Sequence, residues 1–230
     1  MSAVIVRGVS ADAPATVFFR LWLSVPVWYV VMLLSGARLS VRIVRDAFGP
    51  AVLFAGSMAA SFEAFKRTSI ANASLIPSLQ PALILLLASQ LMGERRSNRE
   101  LALAGLAFAG VVGVVLGGAK TSGASRLGDL LAFVNLLLFA AYFLKVKRIR
   151  TTEVPVLAFL TAMFLLSAVL VSPWALLSTK GLDRMHGPDW LLIFALIVGP
   201  GLMGHGLMTW AQKFLDVTTT SLLNLGAPVV

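Results

Sequence analysis

The residues that could do chemistry in this chain are polar groups set singly inside long apolar runs. Gln80 stands within LIPSLQPALILLL, where an amide surrounded by hydrocarbon needs a hydrogen-bonding partner and turns toward a bundle interior. Pro77 and Pro81, four residues apart, each lack a backbone donor; together they bend a helix and free carbonyl oxygens on one face. Those carbonyls either line a polar site or serve as a plain hinge. His205, within GPGLMGHGLMTW, has an imidazole that titrates near neutral pH, so it reads either as a proton carrier or as a satisfied core histidine. Asn135, Tyr142 and Trp210 are candidate walls of the same cavity. Asn72 and Ser74 open the helix that carries Gln80 and read as close packing or as a polar vestibule.

Two charged residues lie at the margins. Arg20 falls three residues into an apolar run; it either snorkels to the membrane surface or turns inward, where it would attract a carboxylate. Glu63 precedes Lys66 by three residues, so a surface ion pair stands against a gate or proton site. All of this is the chemistry of recognition. No cysteine is present, which removes disulfides, thiolate metal sites and thiol catalysis, and the two histidines lack a two-ligand spacing for a metal. No HExxH pattern occurs, and no serine, histidine and acid assemble around His186 or His205. The sequence therefore reads as a protein without a cofactor that is not an enzyme.

The elements that must position these groups are membrane helices. The chain has 230 residues, 58% of them hydrophobic and 13% charged, with a mean hydropathy of +0.90, far from the soluble average. Apolar runs fall at about 17–34, 47–62, 70–92, 101–119, 127–144, 154–178, 190–212 and 217–230, close to the roughly 20 residues that cross hydrocarbon as a helix; the last is too short to span comfortably. The net charge of +9 sits in the short loops between runs and forms no single face, which argues against nucleic acid. The opening MSAVIVRGVSADAP, broken by Arg7 and Asp12, is too short and mixed for a cleavable signal. Basic residues alternate between richer loops, such as Arg38, Arg42 and Arg45 or Lys145 to Arg150, and poorer ones, such as Lys66 with Arg67 or Lys180 with Arg184. The richer set should be cytoplasmic and the N-terminus external. Trp22, Trp28, Trp174 and Trp190 fit interfacial belts, and the glycine-rich run from Gly105 to Gly118, with small residues at four-residue spacing, reads as a close-packing face.

Shifting the chain by 147 residues lays Ala64, Lys66, Ser74, Leu75 and Pro81 over Ala211, Lys213, Ser221, Leu222 and Pro228. The matched stretches begin the third and eighth runs, which cross the bilayer in opposite directions, as in an inverted repeat. Thr218, Thr219, Thr220, Ser221 and Asn224 open the second copy. Laying Pro14 over Pro155 places the partner of run 127–144 mostly upstream of Met1. The expected pattern is thus two five-helix repeats, 1–119 and 127–230, with about eight of ten helices present.

The stretch TSIANASLIPSLQPALILLLASQLMGERRSNRELALAGLAFAGVVGVVL resembles the end of an EamA-type repeat of the drug/metabolite transporter superfamily. The features that carry it are the small-residue entry Ala71 to Ser74, the mid-helix Pro81, the helix end Gly93, Glu94 and Arg95, and the glycines from Gly105 to Gly118. The resemblance implies an all-α, polytopic integral membrane bundle of two inverted repeats in a cell inner membrane. It implies export of an amino acid, metabolite or drug by alternating access, with lipid and a small molecule as partners. The competing expectation is a truncated, non-transporting protein, or a subunit that works as a homo- or hetero-dimer.

Overall fold

The computed structural model describes residues 2–92, 97–117 and 125–223. Gly93, Glu94, Arg95, Gly118, Asn224 and Pro228 lie outside the described residues. The elements are α1 (Ser2–Gly8), α2 (Ala13–Leu34), α3 (Val41–Arg67), α4 (Ile70–Leu75), α5 (Gln80–Met92), α6 (Asn98–Gly117), α7 (Arg126–Arg150), α8 (Val156–Ser178), α9 (Gly187–Leu196), α10 (Gly206–Ala211) and α11 (Val217–Leu223). A 3-10 turn, Pro77–Leu79, joins α4 to α5, and a π-helical stretch, Ile197–His205, joins α9 to α10. No strand occurs among the described residues. Among the described residues, six helical stretches are long and apolar enough to cross a membrane: Ala13–Leu34, Val41–Arg67, Ile70–Leu87, Arg126–Arg150, Val156–Ser178 and Gly187–Ala211. The protein is a polytopic helical membrane bundle.

Several helices start at side chains that satisfy their free amides. Asp12 accepts from the Ala15 amide at the head of α2, Ser40 from Ile43 at α3, Ser69 from Asn72 at α4, and Ser125 from Gly128 at α7. Two helices outrun the apolar segments read from sequence. α3 begins at Val41, taking in Arg42 and its neighbour Asp46, and α7 continues to Arg150 through Lys147 and Arg148. Arg42 and Arg148 are exposed, whereas Lys147 and Arg150 donate to carbonyls of neighbouring segments, and cations in a last turn suit the helix dipole, so helicity continues where hydropathy stops.

The core is a packed group of α2, α3, α7 and α8. Gly49 faces Lys145, Gly56 faces Leu138, Ser57 bonds Asn135 and Gly128 abuts Thr68, so α3 and α7 run antiparallel. Asp12 meets Thr179, Trp22 meets Ser172 and Trp28 meets Thr161, so α2 and α8 do likewise. Small residues let the backbones close in: a Cβ on Gly128 would lie 2.6 Å from the Thr68 Cβ and 2.8 Å from its amide nitrogen. Hydroxyls inside the core bond backward to their own helix, Ser24 to the Arg20 carbonyl, Thr161 to Leu157 and Ser167 to Met163. Thr161 and Ser167 also lie within reach of the Trp28 and Ala51 carbonyls on neighbouring helices, so neither hydroxyl is stranded in apolar surroundings.

Two sequence expectations are corrected. Trp28 is no interfacial belt residue: it is 2% exposed, stacked on Phe164 with ring centroids 5.5 Å apart and pressed against Gly206. Hydropathy places a tryptophan by depth only; the neighbouring glycine is what makes room for it in the core. The glycine-rich face of α6 packs on nothing described, since a Cβ at Gly105, Gly110 or Gly113 would meet no atom within 4 Å. That helix leaves Leu103, Leu106 and Val112 exposed, a face suited to lipid or to another chain.

Candidate functional site

A cavity of about 290 Å³ opens between α2, α3, α7 and the two broken helices. Each break has a local cause. Pro77 and Pro81 withhold two amide donors, so α4 cannot run on into α5 and the chain passes through a 3-10 turn, in which the Gln80 amide bonds the Pro77 carbonyl. Pro200 sits inside the π-helical Ile197–His205, where a wider turn accommodates the missing donor. Breaks of this kind are tolerated at membrane depth where the backbone lines a cavity or is buried in protein.

The cavity gathers most of the residues singled out from sequence. Gln80, Pro81, Asn135, Tyr142 and His205 all line it, and so does Arg20. Asn135 accepts a hydrogen bond of 2.6 Å from the Ser57 hydroxyl, which sets its amide orientation. His205 is surrounded by rings: its centroid lies 4.9 Å from Phe54, 6.0 Å from Phe164, 6.2 Å from Phe139 and 6.5 Å from Tyr142. Arg20 is turned inward and only 4% exposed, which settles the alternative left open by its position: it does not snorkel.

Three candidates lie elsewhere. Asn72 donates to Asp129 at 3.0 Å, and the Thr68 hydroxyl donates to the same carboxylate oxygen at 2.6 Å, so Asn72 pins α4 to the head of α7 and is absent from the cavity lining. Trp210 is 54% exposed and stacked on Phe214 at 4.9 Å; helical phase turns it away while its neighbour Thr209 faces in. Glu63 pairs with Arg67 one turn on, not with Lys66, because Lys66 reaches across to the Val9 carbonyl at 2.6 Å. Glu63 lines a second recess together with Asp12, Lys66 and Lys180.

Sequence reading missed Thr209, Gln212 and Ser61, which also line the cavity, as does Ser221 at the opening of the second repeat copy. Gln212 is 1% exposed, with its amide nitrogen 3.4 Å from the Phe143 carbonyl and its Oε1 without a partner among the described residues. Its place at the end of an apolar run, next to Lys213, made it look interfacial; Gln80, in mid-run, carried the stronger signal. Among the described residues no group of three or more histidines, cysteines or acids could hold a metal ion.

Two clamps hold the ends of the helices. Arg7 donates through Nε to the Phe65 carbonyl at 2.9 Å and through Nη2 to the Thr68 carbonyl, both at the end of α3. Lys147 donates to the Gln212 carbonyl at 2.7 Å and to Leu215 at 2.5 Å, at the end of α10. Phe65 and Gln212, and likewise Thr68 and Leu215, are separated by the same 147 residues that align the sequence with itself.

The chain is similar to known proteins. The profile of the EamA-like transporter family matches residues 1–116 and 126–230. The aromatic amino acid exporter YddG of Ancylobacter novellus is 31% identical over 182 residues, which cover 74% of this chain and 58% of that protein. The chain therefore matches well under two thirds of that relative's length. A solved crystal structure of a protein 25% identical in sequence superposes with a TM-score of 0.70, covering 99% of this chain and 78% of the other. With the family profile matched over almost all of its length, the chain belongs to the EamA-like transporter family.

Proposed function

We propose that this protein exports a small organic solute by alternating access, with amino acids carrying an apolar side chain as the first class to test. The observation that carries the reading is the cavity itself: a space lined by isolated polar groups and aromatic rings, within helices of membrane length, and walled on two sides by helices that are already broken. Rigid helices α2, α3 and α7 would hold Arg20, Asn135 and Tyr142 in place. The interrupted helices, bearing Gln80, Pro81 and His205, would move about the 3-10 turn and the π-helical stretch. The matching clamps at the ends of α3 and α10 support two repeats, 1–119 and 127–230, that rock against each other about this site. The similarity to an exporter of aromatic amino acids supports the solute class and direction, and a bacterial inner membrane as the location.

The test is efflux from proteoliposomes loaded with phenylalanine, tryptophan or leucine. Wild-type protein should raise efflux above empty vesicles, and Gln80→Ala with His205→Ala should lower it severalfold at equal protein. Wild-type flux in the double variant would remove these two residues from the site. A second reading, a subunit that works with another copy or another chain, is supported by the uncovered apolar face of α6. It predicts that vesicles holding at most one chain each show no flux, while those holding two or more do.

A further inference from the structure

Arg20 has the surroundings of a residue waiting for an anion. It lies two turns into α2, is 4% exposed and borders the cavity. Its Nη1 is 3.0 Å from the Met58 sulfur, a weak acceptor, and its guanidinium carbon stands 5.3 Å from the centre of the Phe62 ring. Its Nε is buried with no hydrogen-bonding partner among the described residues. Among the described residues no carboxylate lines the cavity, and none forms an ion pair with Arg20. A guanidinium within a membrane bundle is costly unless something neutralises it, and such residues mark the route of a substrate. A sulfur and a ring face soften that cost without cancelling the charge.

We infer that Arg20 is the carboxylate-recognising residue of the cavity, so that the solute is a carboxylate with an apolar body. Guanidinium offers two parallel donors to the two oxygens of a carboxylate, whereas an ammonium in the same place would act as a point charge. The rest of the solute would lie against Phe62, Phe139 and Tyr142, which line the cavity beside it. The inference rests on the cavity being the solute site, and it names the group there that selects the solute class.

Binding to the full chain in nanodiscs, followed by tryptophan fluorescence, separates this inference from the carrier reading. The probes are L-phenylalanine, 3-phenylpropionate, which lacks the ammonium, and phenethylamine, which lacks the carboxylate. Wild-type protein should bind both carboxylates, and phenethylamine at least about tenfold more weakly, the size expected for losing a charge-assisted pair. Arg20→Met should abolish that preference by weakening the carboxylates alone, and Arg20→Lys should restore part of it. The wild-type comparison of ligands needs no variant, so an Arg20→Met protein that fails to fold does not block the decision. Equal wild-type binding of phenylalanine and phenethylamine, no binding of either carboxylate, or a preference that survives Arg20→Met would each overturn the inference. Carboxylate binding without vesicle flux would keep it and sink the carrier reading; equal flux of phenylalanine and phenethylamine would do the reverse.

Discussion

Two kinds of wall enclose the cavity, and they differ in how their backbones are held. The first, α2, α3 and α7 with α8 behind them, is regular helix, with buried Phe54, Phe143, Phe159 and Phe164 filling the spaces and hydroxyls bonded back to their own carbonyls. The second, α4 through α5 and α9 through α10, is interrupted at Pro77, Pro81 and Pro200, and its polar residues sit at or beside the interruptions. The regular wall carries the fixed charge, Arg20, and the amide set by Ser57; the broken wall carries Gln80 and His205. Under the proposed transport cycle, the difference assigns position and motion to separate helices. In that cycle Arg20 and Asn135 would keep one geometry on uninterrupted helices, and Gln80 and His205 would change theirs beside the 3-10 turn and the π-helical stretch.

The comparison can be broken first at the core. Phe54→Ala removes a ring packed on Tyr142, Phe164 and His205 and should cost about 3–5 kcal/mol of stability. Thermal unfolding in detergent measures it, and a loss under about 1 kcal/mol would mean that the regular wall is loosely packed. Gly128→Ala comes next. Its added methyl would meet the Thr68 backbone, so about 1–3 kcal/mol should be lost in the same assay, whereas Gly110→Ala on open α6 should change stability by no more than about 1 kcal/mol, and in the stabilising direction. Equal effects at the two glycines would erase the distinction between packed and peripheral helices. Ser57→Ala should cost about 1 kcal/mol by leaving Asn135 without its donor, and should weaken solute binding modestly. Smallest in stability, and sharpest for the comparison, is Pro200→Ala: unfolding should shift by less than about 1 kcal/mol while initial efflux falls, because a donor is returned to the broken helix. Unchanged efflux would show that the break is not where the wall moves.

The bundle was legible in the sequence because hydrocarbon imposes length and composition on each crossing, and each apolar run coincides, to within a few residues at its ends and at the turn around Pro77, with helix wherever residues are described. The break at Pro77 and Pro81 was legible for the same kind of reason, a missing donor being a property of the residue; the π-helical stretch around Pro200 was not read from the run 190–212. Gln80, Asn135, Tyr142 and His205 were found as site candidates because a polar group in mid-run has few other places to point. Gln212 and Thr209 were missed because residues near the end of a run can face water or protein equally well. Asn72 was misjudged because its partner, Asp129, is 57 residues away and opens a different helix.

What the sequence by itself determined, then, is the set of helices, their interruptions and the membrane they require, since each follows from local chemistry within some 20 residues. What only the tertiary structure decided is direction: which face of each helix meets which neighbour. Arg20 could have reached for the headgroups; the packing of α2 against α3 turned it toward Met58 and Phe62 instead. Trp28 could have marked the interface; Gly206, 178 residues further on, made room for it in the core. Those choices depend on contacts between distant parts of the chain, and they decide whether a buried charge is a surface anchor or a place for a carboxylate.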